Sequence, residues 1–126
     1  MAAELELARQ LQMAIVPDAA ALATLQQHYP LDVAAYMTPC SEIGGDFWGI
    51  KPLSAHEVAL WLVDVSGHGV ASALNAFRLH AYVNEASALA HQPGEYLEYV
   101  NEQLQPLLLR GQFVTMFYAV IDTQQQ

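Results

Sequence analysis

The chain has 126 residues, 54% of them hydrophobic, which is enough for one domain, or part of one, with a sizeable core, and is unlike a disordered composition. Thirteen acidic residues against four basic ones leave a net charge of -9. Arg9, Lys51, Arg78 and Arg110 are scattered, so the basic stripe that a nucleic acid or an anionic membrane surface requires is absent, and both partners are disfavoured. No apolar run approaches the roughly 18 to 20 residues that span a bilayer. The N-terminus carries Glu4 and Glu6 and no basic stretch, so it does not read as a secretory signal. Cys40 is the single cysteine, which rules out a disulfide framework within the chain and fits a reducing cytoplasm; it is expected as a small, half-buried residue.

Taken in chain order, residues 4–16 (ELELARQLQMAIV) read as a helix. Leu5, Ala8, Leu11, Gln12 and Ile15 fall near one face, the early glutamates suit its positive end, and Pro17 stops it. Residues 18–30 read as a linker with some helical content. Residues 31–39 (LDVAAYMTP) read as a first strand, residues 44–53 as a second, opened by Gly44 and Gly45, and residues 56–65 as a third. The third strand is apolar without alternation, so both of its faces are expected to be covered. Residues 69–90 read as a long helix with Leu74, Phe77, Ala81 and Tyr82 on one face. Pro93 opens a second helix with Leu97, Val100 and Leu104 as its buried stripe, and Pro106 ends or kinks it. Residues 112–122 (QFVTMFYAVID) read as a fourth strand, after which Asp122 is a turn residue. The expected class is α/β: an antiparallel meander layered with helices. The last strand has nothing downstream to pair with, so the domain is expected to be cut short.

The chemistry concentrates in two short stretches. Asp46 follows a Gly-Gly pair and Asp64 ends an apolar strand, 18 residues later. If the second and third strands pair through the short KPLSAH link, both carboxylates reach one end of the sheet. Clustered carboxylates raise each other's pKa unless a cation lies between them, and hard oxygen donors suit Mg²⁺ or Mn²⁺. Gly44 and Gly45 permit close backbone approach, Gly67 and Gly69 permit positive-φ turns, and a helix starting near Gly69 turns its N–H groups toward the same place. Asp64 taken alone also reads as a structural cap, and His68 reads either as a metal ligand or as a turn residue bonding backbone. Ser66 lacks the G-x-S-x-G frame of a nucleophile elbow, and Asp64, Ser66 and His68 sit within one tight turn, too close to align as a triad.

The segments ELELARQLQMAIVP, EIGGDFWGI, LWLVDVSGHGVASALNAFRLHA and FVTMFYAVID, in this order over nearly the whole chain, resemble the metal-dependent serine/threonine phosphatases of the protein phosphatase type 2C superfamily. Within it they are most similar to the bacterial SpoIIE-like branch of stress-response and sporulation signalling. The resemblance implies two antiparallel sheets in an α/β sandwich with helices outside, here truncated. It implies two Mn²⁺ or Mg²⁺ ions at the sheet edge, and a water that attacks the phosphorus of phosphoserine or phosphothreonine in line. Asp46 and Asp64 match the family's metal aspartates, and the backbone carbonyl of Val65 matches a further ligand. Gly45, Ser66, Gly67, His68 and Gly69 match the loop shaping the site, with Glu42 in a supporting role.

The family's later metal aspartates have no counterpart here, and Asp122 matches none of them. The chain is therefore expected to divide into a regulatory linker helix at residues 1–17 and the N-terminal part of a phosphatase domain at residues 18–126. It is expected to show little or no activity by itself. By resemblance its partners are a phosphorylated signalling protein, such as an anti-sigma-factor antagonist, and an upstream sensor or receiver domain. An apolar edge strand further points to a homo-oligomer, a dimer or larger. The alternatives are a non-catalytic regulatory or dimerisation module in a bacterial signalling protein, and a small ligand-binding α/β domain.

Overall fold

The computed structural model of the protein describes residues 2–37, 44–67, 69–85 and 87–125. Helix α1 spans Ala2–Met13 and α2 spans Ala19–His28. Strands β1 (Asp46–Pro52) and β2 (Glu57–Val65) follow, then α3 (Gly69–Glu85), α4 (Pro93–Leu104) and β3 (Val114–Asp122).

Pro17 cannot continue a helix, and α1 stops one turn before it. Its last turn tightens, with the Ala14 amide shared between the carbonyls of Gln10 and Leu11. Leu7, Leu11 and Met13 remain exposed, whereas Ile15 and Val16, beyond the helix end, pack against the core. Asp18 then caps α2, its Oδ1 accepting from the Ala21 amide at 2.8 Å.

The strand expected over residues 31–39 is not formed within its described part, residues 31–37. Pro30 precedes the segment, and the Val33 amide is taken by the Gln26 side chain at 2.8 Å rather than by a neighbouring strand. Among the described residues the sheet has three strands in the order β1-β2-β3, all antiparallel. The meander is therefore shorter than expected, with β3 completing it at the far edge of β2 after two helices.

Ser54 organises the β1–β2 turn: its hydroxyl accepts from the amides of His56 (3.3 Å) and Glu57 (3.1 Å), and the Leu53 amide donates to the Glu57 carbonyl at 2.9 Å. This turn sets a register in which Asp46 opposes Asp64 and Pro52 opposes Val58. At the far end of β3, Asp122 does act as a turn residue, accepting from the amides of Gln124 and Gln125.

One face of the sheet holds the core. Phe47, Trp61, Val63, Val65 and Tyr118 are buried there against Ala76, Leu79 and Val83 of α3 and Tyr96, Val100 and Leu104 of α4. The rings of Tyr96 and Tyr118 stack at 4.0 Å and those of Trp61 and Tyr118 at 6.4 Å. Both tyrosine hydroxyls are satisfied by carbonyls, Tyr96 by Val83 and Tyr118 by Ala90, and burial pushes both phenols up from their ordinary value. The buried stripe of α3 is rotated from the expected one. Ala73, Ala76, Leu79 and Val83 face the sheet, while Leu74 is 52% exposed. Small residues at the seam let the helix approach the flat aromatic surface. The helix also ends at Glu85, short of residue 90, and a 3₁₀ turn over Ser87–Leu89 leads to α4.

The other face is covered only in part, with Val58 fully buried on it. Leu62 (53%) and Phe117 (55%) stand exposed on it, beside the buried Trp48.

Candidate metal and phosphate site

Asp46 is the first residue of β1 and Asp64 the penultimate residue of β2. The register places them directly opposite one another, on the open face of the sheet. Side chains alternate along a strand, so burying Phe47, Val63 and Val65 on the helix side obliges Asp46 and Asp64 to face away from it. Both are exposed. Partial burial, then hydrogen bonding to Asp64 and the charge of Asp64, raise the Asp46 carboxyl above its ordinary value.

Gly45 closes this end of the sheet. Its carbonyl accepts from the Val65 amide at 3.3 Å. A Cβ added to Gly45 would stand 2.7 Å from the Val65 Cβ and 2.8 Å from the Val65 carbonyl oxygen, so only glycine fits between β2 and α3. Gly44 is not constrained in this way, since a Cβ there meets nothing.

After β2 the chain turns through Ser66 and Gly67 into α3. Gly67 has φ +86°, whereas Gly69 is the first residue of the helix and is not part of the positive-φ turn. The Ser66 hydroxyl accepts from the Phe113 amide at 2.9 Å, and the Ser66 amide donates to the Phe113 carbonyl at 2.9 Å. Ser66 thus ties the two loops together. His68, Glu42 and Cys40 lie outside the described residues.

Two clefts meet at Asp64. One, of about 510 Å³, lies over the open sheet face and is lined by Tyr36, Asp46, Trp48, Leu62, Thr115 and Phe117 among others. The second, of about 700 Å³, lies over the end of β2 and is lined by Ser66, Gly67, Ser72, Arg110 and Gly111 among others. Thr115 and Arg110 were not singled out by sequence reasoning. Thr115 is the one aliphatic hydroxyl within FVTMFYAVI and pairs with Asp64 across β2 and β3. Arg110 is one of only four basic residues.

The donor chemistry fits a divalent cation: two carboxylates face each other, and the protonated form of one is favoured by the proximity of the other. Among the described residues no group of three or more histidine, cysteine, aspartate or glutamate side chains comes together, so Asp46 and Asp64 form a partial donor set.

The model of the family described as Stage II sporulation protein E (SpoIIE) matches residues 54–126, more than half of the chain. The chain belongs to the SpoIIE family. The phosphoserine phosphatase RsbP of Bacillus subtilis (strain 168) is 26% identical over 127 residues, covering 98% of this chain and 30% of that protein. The solved SiaA-PP2C domain of Pseudomonas aeruginosa superposes with a TM-score of 0.77 at 24% identity, over 98% of this chain and 49% of that one. The fold is thus that of part of a PP2C-type domain, an α/β arrangement, and the SpoIIE-like resemblance of the sequence holds. The chain spans less than a third of the curated relative and about half of the solved domain's chain. Among the described residues no helix is long and apolar enough to cross a membrane.

Proposed function

We propose that this chain carries the N-terminal part of a phosphatase site acting on phosphoserine or phosphothreonine in a partner signalling protein. The observation that carries this reading is the register that sets Asp46 against Asp64 at the mouth of two clefts. Membership of the SpoIIE family and likeness to a phosphoserine phosphatase support it. Asp46, Asp64 and the Val65 carbonyl would hold a divalent cation, Mn²⁺ or Mg²⁺, which supplies charge neutralisation and Lewis acidity for water activation when bound.

The remaining residues prepare the place. Gly45 lets the end of β1 lie against Val65 and α3, and the Ser66–Phe113 hydrogen bonds hold the loop whose turn at Gly67 opens α3 toward the site. The first turn of α3 brings a positive dipole end to the cleft, favourable to a phosphate.

With Asp46, Asp64 and the Val65 carbonyl as its donor set, this chain binds metal weakly and turns over little by itself. Calorimetric titration with Mn²⁺ tests the site: binding that Asp46→Asn and Asp64→Asn both abolish is expected, and equal heats from all three proteins would refute it. Rapid hydrolysis of a chromogenic phosphate ester, lost in Asp64→Asn, would overturn the expected inactivity alone. The exposed Phe113 and Phe117, beside and on the edge strand β3, support self-association. Light scattering at high micromolar concentration should then report a dimer or larger, and a clean monomer would count against it.

A further inference from the structure

A phosphorylated side chain reaching Asp64 meets an electrostatic difficulty. The protein carries a net charge of -9, the site itself holds two carboxylates, and the phosphomonoester is a dianion near neutral pH. A cation beyond any bound metal would offset this, and the chain has only four. Arg9 pairs with Glu6 on α1. Lys51 lines a cavity on the other side of β1, beside Pro17 and His80, and Arg78 lines neither cleft at Asp64. Arg110 alone among them shares a cleft with Asp64.

The structure presents Arg110 deliberately. Leu109 to Gln112 form a tight turn, closed by the Gln112 amide donating to the Leu109 carbonyl at 2.9 Å. Gly111 has φ +86°, the conformation that the third residue of a type II turn requires, which puts Arg110 at the turn's leading corner. The Gln112 side chain fixes the turn from within, its Oε1 accepting from the Leu109 amide at 2.8 Å and from the Asn75 side chain of α3 at 3.3 Å. One residue further on, the paired hydrogen bonds between Phe113 and Ser66 fasten the turn to the loop after Asp64. The backbone of Arg110 is therefore tied to the loop that carries the candidate site, while its side chain is exposed and enters no ion pair among the described residues.

We propose that Arg110 is the substrate-binding residue for the phosphoryl group: its guanidinium engages the non-bridging oxygens of a phosphoserine or phosphothreonine held between β2 and α3. A planar fork of donors suits two phosphate oxygens at once, where an ammonium acts as a point charge. The assignment rests on the phosphatase reading of Asp46 and Asp64, and makes the cleft lined by Arg110, rather than the smaller cleft over the apolar sheet face, the side from which the phosphate enters.

Titrating the full chain in Mg²⁺ with a phosphoserine peptide, followed by calorimetry and by the NMR signals of the arginine Nε–H groups, tests this. One Nε–H signal should move on saturation and be the one missing in Arg110→Gln. Arg110→Gln should weaken binding about tenfold, as expected for loss of a charge-assisted pair at a solvent-facing site, and Arg110→Lys should fall between. Arg78→Gln removes the same charge elsewhere and should bind as the unsubstituted chain does. Equal affinity for Arg110→Gln and the unsubstituted chain overturns the assignment and leaves the phosphatase reading standing. Equal weakening by Arg110→Gln and Arg78→Gln also overturns it, since net charge alone then explains the effect. Absence of any phosphopeptide binding by the unsubstituted chain overturns the phosphatase reading, and this assignment with it.

Discussion

The two faces of the three-stranded sheet are made by the same strands and serve different ends. On the helix side the contacts build a core: aromatic rings stack, small α3 residues close the seam, and the two tyrosine hydroxyls are satisfied by carbonyls. On the other side Leu62 and Phe117 are exposed, and the strand ends carry two facing carboxylates. The covered face holds the register; the open face receives the consequence of that register, the Asp46–Asp64 pair. Stability and chemistry are thus segregated by the alternation of side chains along β2.

The largest effects should therefore come from the covered face. Leu79→Ala, at a fully buried position, should lower the unfolding free energy by about 2–5 kcal/mol, whereas Leu62→Ala on the open face should change it by less than about 0.5 kcal/mol, both read from urea denaturation. Comparable losses at the two positions would erase the distinction. Next comes the junction of the two faces. Gly45→Ala sets a methyl against Val65 and Ser72 and should cost about 1–3 kcal/mol, while Gly44→Ala, with open space around it, should be near neutral.

At the site itself the sign reverses. Without metal, Asp64→Asn removes the charge that faces Asp46, so it should raise stability slightly, by no more than about 0.5 kcal/mol given that both groups face solvent. In Mn²⁺ the unsubstituted chain should gain melting temperature and Asp64→Asn should not, which thermal scans with and without metal distinguish.

The smallest expected effect is a pH dependence beneath the sheet. Burial lowers the His80 imidazole from its ordinary value of 6.5, with its ring edge-on to Phe47 and its Nε2 beside the Asn84 amide. The unfolded chain then takes up a proton that the folded chain resists, so stability is fully present above pH 6.5 and declines as the pH falls below it. His80→Gln should flatten that decline in denaturation curves taken from pH 7 to pH 5.

Much of this was legible in the residues. β1, β2 and β3 lie within a residue or two of where apolar runs bounded by turn residues put them, because such runs leave little choice. Gly45 as a point of close approach follows from local chemistry. Other features were not legible. Residues 31–37 read as part of a strand, yet the Val33 amide goes to Gln26, and nothing local to the segment announces that competition. The rotation of α3 depended on which small residues the stacked tyrosines would accept, a choice made between distant elements. Arg110 was invisible as a site residue because 46 positions separate it from Asp64, and contacts between distant segments, the Ser66–Phe113 and Asn75–Gln112 hydrogen bonds, carry its turn to the cleft.

The sequence by itself determined that two carboxylates would stand at strand ends beside glycines, since hydrophobic runs and turn residues act over a few positions. The tertiary structure alone decided that they oppose each other, that one sheet face stays open, and that an arginine shares their cleft. Register, packing face and loop contact are settled between segments far apart in the chain, where the energy lies in the fit of whole surfaces rather than in any local pattern.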